Sequence, residues 1–125
     1  MRHILGSALE PVGDGPFVIA HVCNDERVFG AGFVVPLGQR FPEAKRAYLE
    51  APFLALGQVI EVPVKVGGRA GHICHMVAQE GIRGPHPLHL ESLALCIRRV
   101  QIVADGRWQA VVHCPAAIHL TPGNV

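Results

Sequence analysis

The sequence predicts an α/β domain with a mixed sheet covered by helices. Three observations carry that reading. Phe17 to Cys23 is a continuous apolar run rich in β-formers, as in a strand buried on both faces. Val59 to Val66 alternates, with Ile60, Val62, Val64 and Val66 on one face and Glu61, Pro63 and Lys65 on the other. From about His89, Leu93, Cys96, Ile97, Val100 and Val103 recur at the spacing of one helix face. The element order βαββαβ that results belongs to α/β architectures.

Taken in order, Arg2 to Leu5 reads as a short first strand, and Pro11 to Pro16 as a turn-rich connection. The strand Phe17–Cys23 follows. Phe33 to Gln39 reads as a helix, interrupted at Phe41-Pro42. A second helix runs from Pro42 to about Glu50, because proline's missing N–H costs nothing in a first turn. Pro63 places the Val59–Val66 strand at or near a sheet edge. Gly67-Gly68 reads as a hairpin turn, and His72 to Val77 as the more buried returning strand. Gly81 to Pro87 is a loop. The helix from His89 is stopped by Gly106, and Trp108 to Cys114 is a last apolar strand.

Composition narrows the function classes. A chain of 125 residues is one domain by size, large enough to bury a core without staples. An apolar fraction of 50% and a mean hydropathy of +0.31 argue against disorder. Net charge is +1, from 11 basic and 10 acidic residues, which leaves no electrostatic footprint for sequence-specific nucleic-acid binding. Charged residues make up only 17%, which leaves a subunit interface open as an option. Neither a signal peptide nor an apolar run of membrane-spanning length is recognisable, so no membrane is expected and the cytoplasm is the default. Cys23, Cys74, Cys96 and Cys114 each sit in an apolar run, as buried free thiols do. His72, Cys74 and His75, with His21, Cys23, His113 and Cys114 on other strands, lack any standard metal-ligand spacing; they read as packed strand residues, with no metal and no cofactor expected.

The chemistry concentrates after the first long strand. Asn24 to Phe29 lies beyond its carboxyl end, where ligands bind in open α/β sheets. Gly30-Ala31-Gly32 then lets a ligand approach the backbone closely, and free N–H groups at the next helix favour an anion. The expected guest is a phosphate or pyrophosphate. The third glycine of a dinucleotide fingerprint is missing, with Val35 in its place, and no Gly-Lys-Ser/Thr follows.

Ile-Ala-His-Val-Cys-Asn-Asp followed by Gly-Ala-Gly-Phe resembles the macrodomains, which are ADP-ribose-binding modules. The branch it resembles contains the terminal ADP-ribose protein glycohydrolases and their bacterial relatives. Met76 to Arg83 is similar to that family's segment after the hairpin, and Gly6-Ser7-Ala8 resembles its opening Gly-Asp-Ala. The resemblance implies a three-layer α/β/α fold with a mixed central sheet. It implies ligand contacts from Cys23, Asn24, Gly30, Ala31, Gly32, Phe33, Gln79 and Gly81. It places Asn24 near the distal ribose, and Asp25 beside it, where a carboxylate can orient water; these two are the candidate catalytic residues. The implied partner is ADP-ribose or an ADP-ribosylated macromolecule.

Two departures limit the reading. Gln79 stands where the glycohydrolases carry a nucleophilic lysine, and an amide nitrogen cannot replace that amine. After Pro115 the chain reads Ala-Ala-Ile-His-Leu-Thr-Pro-Gly-Asn-Val in place of a second glycine-rich phosphate loop. The expected unit is therefore residues 1–125 as one macrodomain-like domain, shortened at its C-terminus and lacking the usual last helix and strand. If the chain is an enzyme, the resemblance implies an ADP-ribosyl glycohydrolase-type hydrolase. The alternative is a degenerate macrodomain with a structural or homodimerisation role and no catalysis.

Overall fold

The computed structural model describes residues 15–28, 34–81, 88–103 and 109–113. These form β1 (Phe17–Asn24), α1 (Val34–Arg40), α2 (Pro42–Leu49), β2 (Val59–Val66), β3 (Arg69–Gln79), α3 (Leu90–Val103) and β4 (Gln109–His113). The strand expected at Arg2–Leu5, the helix stop at Gly106 and everything from Cys114 onward lie outside the described residues.

The sheet is mixed, in the order β2-β3-β1-β4. β1 runs parallel to both of its neighbours, and β2 pairs antiparallel with β3. The expected edge position of Pro63 holds among the described strands. Gly67 and Gly68 close the β2–β3 hairpin with φ of 54° and 87°, the left-handed conformations that a two-residue turn of matching twist demands. β3 is longer than the sequence pattern suggested. Arg69 to Gly71 extend it because they pair with Val64 to Val66, although little in their own composition favours a strand.

Alternation along β1 and β3 divides the core. Phe17, Ile19, Cys23 and Ile73 face α1 and α2, packing with Leu37, Phe41, Ala44 and Tyr48. Val18, Ala20, Cys74, Met76 and Ala78 face α3, packing with Leu93, Cys96, Ile97 and Val100. This is a three-layer α/β/α arrangement. α2 starts at Pro42, with Glu43 in its first turn and Arg46 in its last, both favourable to the helix dipole. α3 is anchored at its start by His89, whose N–H donates to the Ala78 carbonyl (2.7 Å) and whose Nδ1 accepts from the Ser92 N–H (3.3 Å).

The parallel registers have a consequence at one level of the sheet. His75 of β3, His21 of β1 and His113 of β4 are register partners, so three histidines form a row across three strands.

Candidate functional site

β1 and β3 are parallel, so their carboxyl ends reach the same edge of the sheet. The register slips between Cys23 and Asn24, which makes Asn24 the partner of Gln79. From that pair the loop after β1 is built by side chains that fold back on the backbone.

Asn24 organises the loop. Its Oδ1 accepts from the Glu26 N–H (2.9 Å) and the Val28 N–H (3.2 Å), and its Nδ2 donates to the Val28 carbonyl (2.8 Å). Such local bonding by asparagine competes with continued strand and turns the chain. Tyr48, wholly buried in α2, donates its hydroxyl to the Asn24 carbonyl (2.7 Å) or Oδ1 (2.8 Å). Burial raises the Tyr48 phenol well above its ordinary value, so it stays a neutral donor. Arg27 adopts a positive φ of 62° and turns its guanidinium to the end of α2, donating to the carbonyls of Leu49 (3.0 Å) and Tyr48 (3.4 Å). A cation at a helix carboxyl end satisfies carbonyls the helix leaves open.

Asp25 ties this loop to the end of β3. Its N–H donates to the Gln79 carbonyl (3.1 Å), and its Oδ1 accepts from the Gly81 N–H (2.8 Å). Gln79 Nε2 donates to the Gly81 carbonyl (3.1 Å). Gly81 has φ of 67°, a conformation that glycine adopts without a Cβ clash. The sequence-expected residues Asn24, Asp25, Gln79 and Gly81 are thus brought together at one edge. Gly30, Ala31, Gly32 and Phe33 lie outside the described residues, between Val28 and the first residue of α1, Val34.

Cys23 is different. Its side chain is buried on the α1/α2 face, and desolvation raises its thiol well above the ordinary range. Its sulfur stands 3.7 Å from both ring nitrogens of His21 and 3.7 Å from His75 Nδ1. The two rings meet edge to face, with His21 Nε2 2.6 Å from His75 Nδ1. His75 Nε2 donates to the Ala44 carbonyl (2.7 Å), so its Nδ1 is the acceptor. Burial lowers the His75 pKa to about 4, against the opposing pull of that carbonyl, and keeps the ring neutral.

Sequence reasoning missed Tyr48 and Arg27. The signal for Tyr48 was its place one turn after Ala44 on an apolar helix face, since a buried tyrosine hydroxyl needs an acceptor. Nothing local flagged Arg27.

With this geometry in place, the fold can be set beside known structures. A macrodomain protein from Streptomyces coelicolor superposes with a TM-score of 0.73 at 30% identity, over 96% of this chain and 82% of that one. The chain belongs to the macrodomain family. A Bacteroides thetaiotaomicron protein of unknown function matches this macrodomain with a TM-score of 0.72 at 30% identity, over 90% and 74% of the two chains. The macrodomain of Thermus aquaticus DarG shares the fold at 17% identity, with a TM-score of 0.67 over 86% and 71%. No protein-family model and no curated protein sequence matches the chain. Among the described residues of this macrodomain, no helix is long and apolar enough to cross a membrane.

Proposed function

We propose that this macrodomain binds ADP-ribose at the edge formed by the carboxyl ends of β1 and β3. Macrodomains as a family are ADP-ribose-binding modules. The observation that carries the reading for this chain is the cross-tied loop. Asn24 and Asp25 fasten it to α2 and β3 on the approach to Gly30–Phe33, the stretch the family resemblance assigns to phosphate. A loop fixed before the ligand arrives loses less entropy on binding. α1 carries no acidic side chain in its first turn to repel a pyrophosphate.

The same bonds favour binding over efficient turnover. Asn24 spends its carbonyl oxygen and one amide hydrogen on the loop, which makes it a positioning residue. Gln79 supplies no nucleophile. Calorimetry with ADP-ribose tests the proposal: saturable one-to-one binding is expected, and no heat at millimolar ligand contradicts it. Gly32→Glu places bulk and negative charge in the expected phosphate stretch and should abolish the heat; unchanged affinity would move the site elsewhere.

A second reading, removal of ADP-ribose from an acceptor, has one observation in its favour. Asp25 is only partly buried and commits one carboxylate oxygen to Gly81, leaving the other to orient water. Incubation with an ADP-ribosylated acceptor, with Asp25→Asn alongside, decides it. Product that appears with the wild type and is lost with the variant supports hydrolysis; absence of product leaves binding alone.

A further inference from the structure

The donor atoms of His21, Cys23 and His75 all lie within 4.8 Å of one another in the core. Their exposures are 1%, 3% and 0%. His21 Nε2, His75 Nδ1 and Cys23 Sγ form a triangle with sides of 2.6, 3.7 and 3.7 Å. The point equidistant from all three lies about 2.0 Å from each, the usual metal–nitrogen length and a few tenths short of metal–sulfur. Opening the imidazole–imidazole separation by somewhat under about 1 Å, through small ring rotations, gives near-trigonal angles with both bond lengths satisfied. The geometry points to a buried His2Cys site for a thiophilic d10 metal ion, with Cu(I) the fitting occupant.

Two further features support a ligand set over simple packing. Metal-bound histidines usually donate their remote N–H to a carbonyl, which fixes the ring. His75 does this through Nε2 to Ala44, which makes its Nδ1 the acceptor from His21 Nε2, a contact that the metal would replace. The scaffold is also rigid where the donors sit: His21 and His75 are register partners on adjacent parallel strands, and Cys23 follows two residues after His21 on the same face. His113 occupies the next register position of that row, on β4.

Charge selects the ion. A thiolate with two neutral imidazoles carries −1. Cu(I) brings the site to zero, whereas Zn(II) leaves +1 in a core where an unpaired charge is costly. Thiolate with imidazole suits both ions, but three donors complete a trigonal Cu(I) site and leave a tetrahedral Zn(II) site one short. Binding releases the Cys23 thiol proton to solvent and moves the His21 proton from Nε2 to Nδ1. This inference departs from the sequence expectation of no metal, and it stands independently of ADP-ribose.

The test is anaerobic Cu(I) titration of the full chain against a colorimetric Cu(I) chelator, with Zn(II) titrated in parallel. One tightly held Cu(I) per chain is expected. Cys23→Ser and His75→Asn should each weaken it by about 100-fold or more, while Cys74→Ala leaves it unchanged. Circular dichroism checks that the variants fold. X-ray absorption on the copper-loaded wild type needs no variant: one sulfur and two imidazole nitrogens are expected. Two or more sulfurs, tighter retention of Zn(II) than of Cu(I), or equal Cu(I) retention by folded Cys23→Ser would each overturn the assignment.

Discussion

Asn24 shows how much one side chain can fix. Its amide closes a turn to Val28 and receives the hydroxyl of a tyrosine 24 residues away. Removing its side chain leaves the Glu26 and Val28 N–H groups short of an acceptor, while the Tyr48 hydroxyl keeps the Asn24 backbone carbonyl. Asn24→Ala should therefore cost about 1–3 kcal/mol of stability in urea unfolding. Tyr48→Phe deletes only the donor and should cost about 1 kcal/mol. No effect from Asn24→Ala would mean that the loop does not depend on this amide. The sequence marked Asn24 as chemically important through its place at a strand end. That its groups are turned inward became visible only when α2 brought Tyr48 against it.

The elements were largely legible, for identifiable reasons. Phe17–Asn24 opens as an unbroken run of β-formers with no breaker, and α2 begins where Pro42 allows. The Val59–Val66 alternation survives as exposed Glu61, Pro63 and Lys65 against buried Val62 and Val64. The beginning of β3 was not legible, because Arg69–Gly71 are strand only by pairing with β2. Gly71 makes that pairing possible. A Cβ there would stand 2.2 Å from the Phe17 ring, whose register partner it is. Arg69 covers the same ring, its guanidinium 5.2 Å from the centroid, and donates to the Gly15 carbonyl (2.8 Å). Gly71→Ala should overpack this corner and cost about 1–3 kcal/mol. Gly15→Ala, which meets open space, is the control expected to leave the urea midpoint nearly unchanged. The reverse ranking would contradict the packing described. The His21–Cys23–His75 triangle was likewise hidden, since spacing within one strand cannot reveal which residues of a parallel neighbour stand beside it.

At the scale of the whole molecule, two residue pairs on adjacent parallel strands set the functional geography. Asn24 and Gln79 meet at the edge proposed for ADP-ribose, while His21 and His75 meet further back along the same two strands. A ligand bound to the folded state alone stabilises it by mass action, by about 2.7 kcal/mol at a hundred times its dissociation constant. ADP-ribose should therefore raise the melting temperature of the wild type and leave that of Gly32→Glu where it is. The most direct measurement is isothermal calorimetry of ADP-ribose with the folded wild-type chain. A saturable one-to-one heat that disappears in Gly32→Glu is the predicted result. No heat from folded protein at millimolar ligand would contradict the assignment of this edge as an ADP-ribose site.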